Sequence, residues 1–153
     1  MERPTTLTRR LLPAAAGASA ATAINLAIYE IGRAAGVLYI ISDTTRVRPP
    51  DVALLSAGMF ALGMAVASAA SRWDRRAWRA MQVVGALVAV VSTAGDIGIQ
   101  GTRAASATLM LMHLVVGLVY VVTIELVRSR PAELALPATR RGAVPTRLEE
   151  AGL

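Results

Sequence analysis

Four runs of about twenty residues, almost free of charge, constrain this chain more than any other feature. They cover residues 11–31, 52–71, 80–100 and 104–127, the last reading AASATLMLMHLVVGLVYVVTIELV. An α-helix needs about 20 apolar residues to cross a hydrocarbon layer of about 30 Å. Lipid offers the backbone no partners, so each run must close its own hydrogen bonds as a helix. The connections are short. The expected fold is therefore all-α: an integral-membrane, up-down-up-down four-helix bundle over residues 11–127.

Composition agrees. Hydrophobic residues make up 55% of the chain and aromatics only 4%, so Ala, Val, Leu, Gly and Ile carry the apolar character. That suits lipid-facing helices packed through small residues better than a water-soluble core. Cysteine is absent, which excludes disulfides, thiolate metal sites and dithiol redox chemistry. All sixteen basic residues are Arg, a bias that with abundant Ala, Gly and Val fits a GC-rich bacterial genome. A net charge of +6 would suit a nucleic-acid partner. Here the arginines punctuate apolar runs instead of lining one face, so the expected partner is the lipid bilayer and not nucleic acid.

The arginines also set an orientation. The N-terminus (Arg3, Arg9, Arg10), the second connection (Arg72, Arg75, Arg76, Arg79) and the tail (Arg128, Arg130, Arg140, Arg141, Arg147) fall on one side of a four-span bundle. The other side holds only Arg33, Arg46, Arg48 and Arg103, balanced by Glu30, Asp43, Asp51 and Asp96. Positive residues are retained in the cytoplasm. Both termini are thus expected inside a bacterial plasma membrane, with residues 1–10 a cytoplasmic N-terminus and 128–153 a disordered cytoplasmic tail. Trp73 and Trp78 flank the cytoplasmic connection, where amphipathic rings favour the headgroup layer.

The first span raises two questions. A helix from Leu12 to Ile41 would run about 45 Å at about 1.5 Å per residue, longer than the bilayer core. Either it tilts and projects, or Gly32 and Gly36 break it. The stretch TRRLLPAAAGASA also resembles a twin-arginine export signal ending in Ala18-Ser19-Ala20. Apolar character continues past Ala20 without a polar boundary, which favours a retained anchor. Beyond it, SDTTRVRPPD reads as an external loop, with Pro49 and Pro50 stopping any earlier helix and Asp51 capping the next.

Small and polar residues recur at helical spacing in each span. The sets are Gly17, Ala21, Asn25 and Tyr29 or Gly32; Ser56, Gly63, Ala67 and Ser71; Gly85, Ala89, Ser92 and Asp96; Ser106, Met110, His113, Gly117 and Tyr120. Gly63, Ala67, Gly85, Ala89 and Gly117 are the expected helix-packing positions. The only histidine lies about 13 Å into its span, near the midplane. Asn25 lies somewhat further out, and Asp96, Gln100, Glu30 and Arg33 lie towards the outer boundary. Asn25, His113, Asp96, Glu30 and Arg33 form a candidate intramembrane polar site, because ionisable groups in lipid are costly and tend to be functional.

Each has a plainer reading. His113 works as a neutral interhelical hydrogen-bonder with Asn25 as its partner; Asp96 is a solvated interfacial carboxylate. Glu30 pairs with Arg33, and Glu125 with Arg128. Met110 and Met112 flank His113, but one histidine without cysteine makes a poor metal or haem site. No metal, cofactor or catalytic residue is expected. GxSxG, HExxH, phosphate-loop and dinucleotide patterns are all missing.

At INLAIYEIGRAAGV and LMLMHLVVGLVYVVTIELV the chain resembles a family of small bacterial four-pass proteins, domain of unknown function 6069. The likeness rests on Asn25 in the outer half of the first span and on Met112-His113-Leu114 in the last. It extends over roughly residues 8 to 128. The resemblance implies the four-pass architecture and carries no activity.

Two functions from different classes follow. The first is a non-enzymatic membrane component acting through helix packing with itself or with a membrane-protein partner. The alternative is a small transporter or permeation protein with an outward-facing polar site around His113 and Asn25. An intramembrane enzyme ranks third, since it requires Asn25 or Asp96 to approach His113 closely.

Overall fold

The computed structural model describes residues 6–74, 76–98 and 102–129. Residues 1–5, Arg75, residues 99–101 (with Gln100 among them) and the tail beyond Ser129 lie outside them. Four helices carry the fold: α1 (Thr6–Ala34), α2 (Pro49–Ala70), α3 (Ala77–Ser92) and α4 (Arg103–Ser129). A small hairpin of β1 (Ile40–Ser42) and β2 (Thr45–Arg46) joins the first two. Each helix is long and apolar enough to cross a membrane, α3 together with the 3-10 turn Thr93–Gly98 that continues it. The protein is an all-α, multi-pass membrane protein.

The length problem in the first span is resolved at Gly36. Helix α1 runs unbroken through Gly32 and ends where Gly36 takes φ +82°, a conformation in which a Cβ would be strained. Its last turn holds the expected pair, with Arg33 Nη2 2.7 Å from the Glu30 carboxylate. Gly32 serves a different purpose: a Cβ there would overlap the Tyr39 hydroxyl.

That hydroxyl belongs to a latch. Tyr39 stacks on Tyr29 with ring centroids 4.6 Å apart, and its O–H donates to the Tyr29 carbonyl at 3.3 Å. The Tyr29 O–H in turn donates to the Val47 carbonyl at 3.0 Å. Burial pushes the Tyr39 phenol above its ordinary pKa, so it remains a donor at neutral pH. The hairpin is thereby fastened to the end of the bundle. Losing a hydrogen bond of this kind costs about 1 kcal/mol. Tyr29→Phe is therefore expected to raise limited trypsin cleavage at Arg46 several-fold while the bundle stays folded. Unchanged cleavage would show that the latch does not hold the hairpin.

Two prolines then open α2 and Asp51 caps it, its Oδ2 accepting the Arg48 backbone N–H at 2.8 Å. Helix α1 packs on α2 and α4, while α3 lies mainly along α4 and touches α2 lightly. Two apolar clusters fill the interior. Ala21, Phe60, Met64, Ala67, Trp78, Tyr120 and Ile124 pack at the end near the α2–α3 turn. Tyr29, Tyr39, Val52, Ala105 and Met112 pack beneath the hairpin. The two tryptophans differ from the expectation that treated them alike: Trp73 is 88% exposed on the turn, whereas Trp78 is buried in the core.

Candidate functional site

The α1 stripe is inward along its whole length: Gly17, Ala21, Asn25, Tyr29 and Gly32 are all buried. In α4 the interior face is rotated from the expected one. Ala105, Met112, Gly117, Tyr120, Thr123 and Ile124 are buried, while His113 stays half-exposed. Two polar constellations result, and the structure keeps Asn25 and His113 in different ones.

Asn25 is a three-helix clamp. Its Nδ2 donates to Ser56 Oγ at 2.9 Å and to the Met112 carbonyl at 3.2 Å. The amide thus ties α1 to α2 and to α4, with both of its hydrogens used. Its Oδ1 is buried without a donor among the described residues. Ser56 belonged to the α2 stripe in the sequence, but nothing there identified it as the partner.

His113 turns to Asp96 and not to Asn25. Its Nδ1 lies 3.0 Å from the Leu109 carbonyl, one turn earlier in the same helix, and 3.0 Å from Asp96 Oδ2. One ring nitrogen carries at most one hydrogen. Leu109 sits on its axis, so the buried Oδ2 is at ion-pair distance yet has no aligned donor among the described residues. Asp96 is only 8% exposed, contrary to the expected solvated carboxylate. The reason is local. The 3-10 turn Thr93–Gly98 docks on α4 and carries the side chain in against Leu109 and His113. Leu109 is six residues into α4, so the pair lies about 9 Å below that helix's first residue.

The remaining candidates are placed apart from both. Glu30 and Arg33 pair with each other on the exposed end of α1. Glu125 and Arg128 do the same at the opposite end of the bundle, with contacts of 2.6 and 3.1 Å. Among the described residues no three His, Asp or Glu side chains converge as a metal site would require.

The packing glycines lie at helix contacts. The Tyr120 ring is inserted between α2 and α3: a Cβ on Gly63 would come within 2.9 Å of it, and one on Gly85 would overlap it. Its hydroxyl donates to the Gly63 carbonyl at 3.3 Å, and its edge meets Phe60 at 6.1 Å. One turn nearer the hairpin, Gly117 lies against Ala89 so closely that a Cβ would overlap the alanine methyl. Ala67 is fully buried. A further tie, Gln82 Nε2 donating to the Val121 carbonyl at 3.2 Å, joins α3 to α4 and had no counterpart in the sequence reading.

A family profile described as a family of unknown function, DUF6069, matches residues 5–130. The chain belongs to that family. The span matched to DUF6069 takes in all four helices and both polar constellations. No curated protein and no solved structure matches the chain.

Proposed function

We propose that this DUF6069 protein is a non-enzymatic component of the bacterial plasma membrane, with both termini cytoplasmic, that acts by packing against a second copy or another membrane protein. The carrying observation is the unequal cover on the helices. Only 6% of the apolar window in the α3 span is buried, against 22–33% in the other three. One side of α3 is locked to α4 through Gly85 and Ala89, and the rest presents Val83, Val84, Leu87, Val88 and Val91. The orientation rests on the excess of arginines at the termini and the α2–α3 turn.

The transporter reading has less support. It needs Asn25 and His113 to line one site, and both donors of Asn25 are used in holding helices together.

The cysteine-free sequence makes a clean test. Val84→Cys and Val91→Cys on α3, with Leu54→Cys on α2 as control, are expected to give crosslinked dimers or a defined adduct from α3 alone. Thr44→Cys in the hairpin should label with an impermeant maleimide in intact cells, and Asp74→Cys only after lysis. A monomer that crosslinks nowhere in native membranes overturns the packing role; reversed labelling overturns the orientation.

A further inference from the structure

We infer that the α2–α3 turn binds the headgroup of an anionic phospholipid, with Arg72, Arg76 and Arg79 taking the phosphate and Trp73 set beside them at the lipid boundary. This goes beyond the packing role and does not rest on it. Charge is shared unequally between the two ends of the bundle. At the hairpin end Arg33 is bonded to Glu30, and Asp51 holds the Arg48 backbone at the start of α2. At the other end, residues 71–80 carry four arginines and a single acid, Asp74. That carboxylate is fixed on the backbone, its Oδ1 accepting the Arg76 N–H at 2.7 Å where α3 begins. Glu125, within electrostatic reach of Arg79, is bonded twice to Arg128. Arg72, Arg76 and Arg79 are exposed and make no ion pair among the described residues.

The turn holds these arginines on a built frame. The N–H groups of Ser71, Arg72 and Trp73 bond back to the carbonyls of Ala67, Ala69 and Ala70 at 3.0, 3.1 and 3.2 Å. Ser71 Oγ donates to the Ser68 carbonyl at 2.8 Å, and the Ala77 N–H to the Asp74 carbonyl at 3.0 Å. Arg76 and Arg79 are three residues apart across the first turn of α3, which makes them neighbours on one face. The start of a helix adds about half a positive charge at the same place. Guanidinium groups match phosphate oxygens as planar, two-pronged donors.

The adjoining surface marks the anion as a lipid. Leu62, Val66 and Trp73 are all exposed, and their spacings of four and seven put them in one row along α2 into the turn. The row is apolar as far as Trp73 and meets the arginines there. A soluble phosphate uses none of it, whereas a phospholipid lays its tails along Leu62 and Val66 while its head reaches the arginines. Indole rings favour that boundary.

The test places the full chain in nanodiscs of phosphatidylcholine with a fixed minor share of phosphatidylglycerol. Bromine on the acyl chains of one lipid or the other quenches indole emission on contact. The Trp73 signal is that of the wild type less that of W73F, which removes an exposed ring and leaves Trp78 in the core. At equal share, brominated phosphatidylglycerol is expected to quench Trp73 more than brominated phosphatidylcholine, and the excess to shrink in high salt. R76Q should lower the preference by up to about fivefold, the pull of one basic residue on an anionic surface. R72Q/R76Q/R79Q should abolish it while quenching by phosphatidylcholine stays. Equal quenching by the two lipids in the wild type overturns the proposal, as does a preference that survives the triple variant. Displacement by soluble glycerol phosphate would assign the patch to a free anion, and an indole that neither lipid quenches would assign it to a partner outside the bilayer. Either result also overturns the lipid site. If the triple variant fails to fold, the wild type and R76Q still decide.

Discussion

Gly85→Leu is expected to remove most folded protein from a detergent extract, and Tyr120→Ala in the same chain to restore part of it. The Tyr120 ring has no space into which to retreat. Gly85 lies under one side and Gly63 under the other, its hydroxyl is held on the Gly63 carbonyl, and its edge abuts Phe60. Extra methylenes in a well-packed core typically cost about 1–3 kcal/mol even where neighbours can shift. Here the obstacle is a fixed ring, so the loss should reach or exceed the top of that range. Tyr120→Ala alone leaves a cavity worth about 3–5 kcal/mol. If the two positions share one space, the double variant will be more stable than the sum of the singles by at least about 1 kcal/mol. Gly58 faces open space, so Gly58→Leu on the lipid side of α2 provides the control. Unfolding by SDS titration measures all four. A Gly85→Leu protein as stable as Gly58→Leu would show that the ring is not locked there.

Local pattern carried the helices, and long-range pairing was hidden for a physical reason. Apolar length alone marks Leu11–Ala34 and Arg103–Ser129, because a lipid-crossing helix needs no specific partner to declare itself. The small-residue rule named Gly63, Gly85 and Gly117 as packing positions, because close approach demands an absent side chain whatever lies opposite; a Cβ at each would meet Tyr120 or Ala89. What lay opposite was not legible. Tyr120 could be placed on a stripe but not between two particular glycines. His113 and Asp96 are seventeen residues apart across a turn, and their pairing depends on α3 giving way to a 3-10 turn after Ser92. Gly95 and the nearby Asp96 suggested only an interfacial end. The roughly 100° step of helix periodicity also blurs α4: a small rotation decides whether Met112 or His113 points inward, and both fit the apolar pattern.

Asn25→Asp should be more damaging than Asn25→Leu, although aspartate is the closer match in shape. The amide at this position is a donor to two acceptors, Ser56 Oγ and the Met112 carbonyl. A carboxylate can donate to neither and would set a charged oxygen against a carbonyl oxygen. Placing Asp at the centre of a membrane helix costs about 2.5–3.5 kcal/mol on the insertion scale. Leucine loses the same two bonds, each worth about 0.6 kcal/mol within membrane bundles, but it also removes Oδ1, which is buried without a donor. The net effect of Asn25→Leu is therefore about 1 kcal/mol, and the gap between the variants about 2 kcal/mol. SDS-titrated unfolding should give the order wild type, Asn25→Leu, Asn25→Asp. If the two variants are equal, water reaches Asn25 and solvates the new charge, and the residue lines a hydrated cavity. The clamp would then be lost as an explanation, and the outward-facing site around Asn25 and His113 would regain its basis.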